Sequence, residues 1–324
     1  MCTAINQYGE YHLFGRTLDL EHTYGESVVL SPRGFTLEFT DQHRLSSHHA
    51  IMGVACIRDG IPLYFDAVNE MGLCAAALNF PSSCVFHKRA NGSVNVASFE
   101  LVPFILAKCG DISEAIKILE NINIIDISFS SELPSTPLHW IFADKNGAVT
   151  VESIADGVRI YQNTVGVLTN DPPFPYHMTN ITHYMDLNPA PPKNNLCPTI
   201  DLKPYSRGMG ALGLPGDASS ASRFIRAVYA KYHTQKTHTK EQSISRFFHI
   251  MDTVSQPCGY ALTDSGAPVS TVYTSCADTS SFTYYFTTYG CRRIYAVKPS
   301  LHALDDTEIT SFEMHHKEDI EYLS

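Results

Sequence analysis

Residues 1–19 read Met1-Cys2-Thr3-Ala4-Ile5-Asn6-Gln7-Tyr8-Gly9-Glu10-Tyr11-His12-Leu13-Phe14-Gly15-Arg16-Thr17-Leu18-Asp19. Thr3 to Ile5 is strand-like, Gln7 to Glu10 turn-like, and Tyr11 to Phe14 strand-like again, which predicts an antiparallel hairpin. A turn centred near Tyr8-Gly9 pairs residues whose numbers sum to about 17. Cys2 is then expected within a residue or two of Gly15, with Arg16 beside it and Asp19 just past the strand end. If Met1 is removed, Cys2 carries a thiol and a free α-amine on one residue. A free thiol titrates near about 8.5 and an α-amine near about 7.7–8.0, so the amine can serve as the thiol's base. Alone, a cysteine at position 2 is equally open to an incidental reading. Arg16 would favour a thiolate and Asp19 would orient the amine, or the two form a surface ion pair.

The totals bound the rest. Over 324 residues the formal net charge is −10, which argues against a nucleic-acid partner. Hydrophobic residues are 44% and charged residues 17%, as in a globular protein with a sizeable core. No apolar run is long enough to cross a membrane, and no basic stretch leads into an apolar one as in a secretory signal. Nine cysteines, an odd number with no Cys-x-x-Cys, lie mostly in apolar runs and read as free thiols in a reducing cytoplasm. The fifteen histidines include no His-Glu-x-x-His and no paired Cys/His spacing, so a zinc site is disfavoured.

Further strands are expected at 28–30, 35–39, 51–57, 61–65 and 73–80, so that the first 80 or so residues run as consecutive antiparallel strands. Helices follow over about 99–106 and from a capping box at Asp111-Ile-Ser-Glu114. Strands resume at 138–143, 149–153, 158–161 and 166–169. Residues 172–200 are dense in proline and read as an extended excursion, either a linker or an arm for packing against another subunit. Helices are expected from Ser219-Ser220 and over about 243–254, then strands across 271–297. Strands, helices, strands, helices, strands is not a strict alternation, so two antiparallel sheets with helices outside fit better than a parallel sheet. That is a layered α+β sandwich in one domain, 1–324.

Asn79 and Asn170 sit at predicted strand ends, each with a proline within two residues. They read as turn formers or as donors to the oxyanion that thiol attack on an amide creates. Arg223 falls in the first turn of a predicted helix, where a cation meets the positive end of the dipole. It is either a solvated arginine or one placed there for another purpose. Gly208-Met-Gly210-Ala-Leu-Gly213 matches a dinucleotide-binding fingerprint only superficially, since Pro215 follows and no strand precedes it.

Met-Cys-Thr-Ala, Phe14-Gly-Arg-Thr-Leu-Asp19, Tyr64-Phe-Asp-Ala-Val-Asn-Glu-Met-Gly-Leu73, Leu78-Asn-Phe-Pro81, Leu168-Thr-Asn-Asp-Pro172 and Gly213-Leu-Pro-Gly-Asp-Ala-Ser-Ser-Ala-Ser-Arg-Phe224 together resemble the choloylglycine hydrolases. These are bile salt hydrolases and their penicillin V acylase relatives. The resemblance spans nearly the whole chain. It implies an N-terminal-nucleophile hydrolase with a four-layer α-β-β-α sandwich. It implies cofactor-free cleavage of the amide joining a bile acid to glycine or taurine. Cys2 would be nucleophile and base, supported by Arg16 and Asp19. Asn170 and the backbone N–H of Asn79 would form the oxyanion hole, and Arg223 would complete the site. Asn79, where penicillin V acylases of the family often carry tyrosine, tilts the substrate towards bile salts. A penicillin V or acyl-homoserine-lactone acylase, or a non-catalytic steroid- or lipid-binding protein, are the competing readings.

A steroid needs apolar walls. Leu18, Leu20, Tyr24, Ile57, Pro62, Phe65, Phe129, Leu133 and Pro137 are candidates for lining the pocket, and equally for core packing. Ser206-Arg207-Gly208 is of a type that the resemblance associates with taurine conjugates, whose sulfonate an arginine fork can meet. The same resemblance implies a homotetramer assembled through the proline-dense excursion.

Overall fold

The computed structural model describes residues 1–323, and in it the strands sort into two large antiparallel sheets by which core their side chains enter. In the strand Cys74–Asn79, Cys74, Ala76 and Leu78 enter one core while Ala75 and Ala77 enter another. Val28 and Leu30 part from Val29 in the same way. Period-2 side-chain direction thus divides apolar runs between two cores, which is why these strands read as continuous rather than alternating.

The larger sheet has eight strands in the order Gly157–Gln162, Ala148–Ile154, Leu138–Ala143, Cys74–Asn79, Ile61–Asn69, Ile51–Arg58, Ser27–Ser31 and Thr310–Glu313. The other runs Val167–Leu168, Cys2–Gln7, Leu13–Leu20, Pro268–Asp278, Thr283–Thr288 and Cys291–Val297, with Ala261–Leu262 added beside Pro268–Asp278. The inner core lies between them. Helices Leu101–Lys108 and Ile112–Leu119 close the outer core over Trp140, Phe142 and Val149 of the larger sheet. Phe224, Ile225, Phe247 and Met251 seat helices Ser220–His233 and Lys240–Asp252 on the smaller sheet. The result is the expected α-β-β-α order. Each large apolar side chain buried this way contributes about 1.5–3 kcal/mol.

Asp111 caps its helix as expected, accepting from Glu114 N at 2.9 Å. Glu114 returns the bond to Gly110 N at 2.7 Å, one residue earlier than a capping box predicts.

Four expectations are corrected. The first hairpin pairs Cys2 with Leu18 and Ala4 with Arg16, so partner numbers sum to 20 and Cys2 does not face Gly15. The connection is the wider stretch 8–12, pinned when His12 binds Asn6 Oδ1 at 2.7 Å and Thr279 Oγ1 at 2.9 Å. Asp19 therefore lies inside the strand. The first 80 residues do not run through one sheet: the hairpin belongs to the smaller sheet and the strands from Ser27 onward to the larger. Residues 35–39 yield only the short strand Leu37–Glu38. The proline-dense segment begins with a helix, Phe174–Asn180, and a 3-10 turn, Ile181–Tyr184, before it becomes irregular. Pro173 and Pro175 flank its first residue, where a missing N–H costs no helical bond. A parallel pair, Val94–Ala97 with Ile122–Ile125, was not foreseen.

Candidate active site

Cys2 lies on an interior strand between Val167–Leu168 and Leu13–Leu20, and is 2% exposed. Its backbone nitrogen donates to Asn170 Oδ1 at 2.9 Å. Arg223 Nη2 donates to the same oxygen at 2.6 Å, and Nη1 donates to the Cys2 carbonyl and to Thr3 Oγ1 at 2.8 Å. Asn170 Nδ2 donates to the carbonyl of Asn79 at 2.8 Å. Four of the six expected polar residues therefore form one connected cluster, drawn from two sheets and a helix.

Arg223 reaches inward from the fourth position of its helix, where Nε also donates to Ala218 O at 2.9 Å. Its charge is spent on buried oxygens, which explains a cation so close to the positive end of the helix. Burial lowers its pKa, against the pull of Asp19 and Cys2.

Asp19 is fully buried. Its Oδ1 accepts from Thr271 Oγ1 at 2.6 Å and its Oδ2 from Thr17 Oγ1 at 3.2 Å. Burial pushes its pKa up, opposed by Arg223, the N-terminal ammonium, Thr271 and Arg16. Its backbone holds the residue before Cys2: Met1 N donates to Asp19 O at 2.6 Å, and Asp19 N donates to Met1 O at 2.9 Å.

Arg16 points between the sheets. Nη1 donates to Ala77 O at 2.6 Å and Phe65 O at 3.1 Å, and Nε to Thr17 O at 3.1 Å. Nη2 is buried without a partner among the described residues. Burial opposes its charge, but Cys2, then Tyr273, Asp66 and Asp19, outweigh it and leave the pKa raised. Arg16 is thus a fixed cation beside the Cys2 strand, although the register does not pair the two.

The residues proposed for the apolar wall divide. Leu18 is the strand partner of Cys2, and Leu20 and Phe65 pack on the inner core. The Tyr24 ring lies 5.7 Å from that of Phe65. The Pro137 carbonyl accepts from Phe80 N at 2.9 Å, next to Asn79. Phe129 and Leu133 close a turn, Phe129 N donating to Leu133 O at 3.0 Å, and Phe129 packs edge-on against Phe99. Ile57 is not part of this group: it packs on the outer core, on the opposite face of the sheet from Phe65. Ile57 pairs with Pro62, and alternation over the three residues from Pro62 to Phe65 sets Phe65 on the other face. Arg207 is exposed on an irregular stretch of chain.

Several partners were not foreseen. Thr271 holds Asp19. Ser220 Oγ accepts from Asn170 N at 2.9 Å, and His177 Nε2 donates to Asn170 O at 3.0 Å. Ser220 lies in the 213–224 motif, which is a signal for it; Thr271 and His177 carry none. Among the described residues no group of three or more His, Cys, Asp or Glu side chains could hold a metal ion. What the cluster offers is a buried sulfur beside fixed cations and amide dipoles, which is equipment for stabilising negative charge.

A family model described as linear amide C–N hydrolases, choloylglycine hydrolase family, matches residues 2–312. The chain is 41% identical over 314 residues to the bile salt hydrolase/transferase of Lactiplantibacillus plantarum, covering 97% of each chain. It is 32% identical to the bile salt hydrolase/transferase of Clostridium perfringens, again over 97% of each. A solved C2A variant of the conjugated bile acid hydrolase from Clostridium perfringens superposes with TM-score 0.91 at 29% identity over 100% of both chains. The penicillin V acylase of Agrobacterium tumefaciens shares the fold, with TM-score 0.76 at 19% identity over 96% of this chain and 91% of that one.

Proposed function

The chain belongs to the choloylglycine hydrolase family of linear amide C–N hydrolases, and from that membership we propose that it cleaves glycine- or taurine-conjugated bile salts to free bile acids, with Cys2 as nucleophile. The observation that carries the mechanism is the convergence of Cys2 N and Arg223 on Asn170 Oδ1. Once Met1 is gone, that nitrogen is the α-amine, already oriented by a hydrogen-bond acceptor. The amine takes the thiol proton and Sγ attacks the amide carbon. The oxyanion is met by the second N–H of Asn170 Nδ2, whose first is held by Asn79 O. The ammonium then returns its proton to the leaving nitrogen, and glycine or taurine departs from a thioester. Water, deprotonated by the same amine, attacks the thioester carbon; bile acid leaves and the thiol is restored.

Parallel assays of taurocholate, glycocholate and penicillin V, with intact mass of the N-terminus, test this. Turnover of the bile salts by chains lacking Met1 is expected. Full activity in chains retaining Met1 would refute the amine base. Cys2→Ala should keep bile-salt binding and lose turnover; retained turnover removes Cys2 from the reaction.

Arg207 we assign to the taurine sulfonate. An unchanged ratio of kcat/KM for taurocholate and glycocholate in Arg207→Ala removes that role. A homotetramer is supported by the apolar side chains exposed on the irregular segment, Met185, Leu196, Tyr205 and Leu212. Sedimentation as a monomer at assay concentration counts against it. All nine cysteines are free thiols, which suits a reducing cytoplasm.

A further inference from the structure

Asn79 and Asn170 stand at the ends of strands in different sheets, and something must fix the gap between them. His139 lies at that junction. It sits on the strand Leu138–Ala143, opposite Leu78 on one side and Glu152 on the other. Its ring stacks on Phe80, the residue after Asn79, with centroids 4.3 Å apart and planes at 10°. Its Nε2 lies 2.9 Å from the carbonyl of Thr169, the residue before Asn170. A carbonyl only accepts, so Nε2 carries the hydrogen. Nδ1 faces Glu152 Oε1 at 3.1 Å, and that oxygen also accepts from Phe174 N at 2.9 Å. Phe80, His139, Glu152 and Thr169 are all at 0% exposure.

Ser220 and His177 fix Asn170 from its own side of the molecule. His139 ties the neighbouring carbonyl to the other sheet. A buried polar pair of this kind is weak evidence for stability, since apolar residues of the same volume often do as well. Its place between the two asparagines gives it a different use. Resting on the reading of Cys2 as nucleophile, we propose that His139, oriented by Glu152, is a positioning residue that sets the spacing of Asn79 and Asn170 and so the aim of the Asn170 Nδ2 donor.

Asparagine and glutamine separate the two ring nitrogens. His139→Asn keeps a polar group near Glu152 and loses the bond to Thr169 O; His139→Gln can restore that bond. In the mature full-length chain with glycocholate, His139→Asn lowers kcat about 10–100-fold with KM within about threefold. Iodoacetamide alkylation of Cys2, read by peptide mass, stays within about twofold, because the nucleophile itself is untouched. His139→Gln returns kcat to within about fivefold of the parent. Parent kcat in His139→Asn overturns the proposal, as does equal impairment in both variants. If His139→Asn does not fold, Phe80→Leu removes the stack and leaves both polar bonds. It lowers kcat at least about threefold at unchanged KM, and parent kcat there also overturns the proposal. Failure of the nucleophile reading is told apart by Cys2→Ala, which would then retain turnover.

Discussion

Asn170 Oδ1 accepts from both Cys2 N, at 2.9 Å, and Arg223 Nη2, at 2.6 Å. Two donors on one oxygen fix the orientation of the amide. A flipped amide would set its NH2 against both donors and its oxygen against the Asn79 carbonyl. Nδ2 is therefore locked towards Asn79, with one N–H left to give.

Asn170→Asp tests that orientation. It keeps the acceptor for Cys2 and Arg223 but sets a second oxygen against the Asn79 carbonyl. Steady-state kinetics with a conjugated bile salt should show kcat reduced about 10²–10³-fold, with a smaller change in KM.

Arg223→Met takes the guanidinium donors from Cys2 O and Thr3 Oγ1, leaves Asn170 Oδ1 with Cys2 N alone, and removes the charge that most opposes the burial of Asp19. Urea unfolding should show a loss of about 3–5 kcal/mol. Arg223→Lys should recover little of it, since an ammonium cannot match the planar fork.

His12 and His177 are each pushed down to about 4 by burial. In the unfolded chain a histidine titrates near about 6.5, so between those values the unfolded state binds more protons. Their neutral forms favour the fold fully above the unfolded value, and that contribution is lost as pH falls towards 4. Each is expected to cost about 1–2 kcal/mol of stability at pH 5 relative to pH 7. His177→Gln should flatten the decline, seen as a smaller drop in unfolding free energy between those two pH values than in the parent.

Gly15 is needed for contact rather than for a special backbone angle. A Cβ there would sit 1.9 Å from the carbonyl oxygen of Ser275 in the neighbouring strand. Gly15→Ala should push the strands apart beside Arg16, destabilising by about 1–3 kcal/mol in urea unfolding.

Local chemistry made much of the fold legible. The Asp111 cap, the antiparallel neighbours expected at 51–57 and 61–65, and the apolar runs of the larger sheet all follow from short-range pattern. The first hairpin's register did not, because its turn is set by His12 reaching Thr279, 267 residues away in sequence. Which face Ile57 takes depends on its pairing with Pro62, a register that composition does not reveal. The cluster of Cys2, Asn79, Asn170 and Arg223 was assembled by resemblance, since no local rule joins residues so far apart. His139 escaped both routes: its neighbours are apolar, and only the pairing of three strands reveals what it touches.

The Arg223–Cys2 contact spans 221 residues of chain. At a synthesis rate of about 5–20 residues per second, roughly 10–45 s separate the appearance of the two partners. Asn170 follows Cys2 by 168 residues and Arg223 follows Asn170 by 53, so for most of that interval the thiol has neither beside it. Catalytic competence is thus a late event in the life of each chain, reached when the helix Ser220–His233 docks on the first strand.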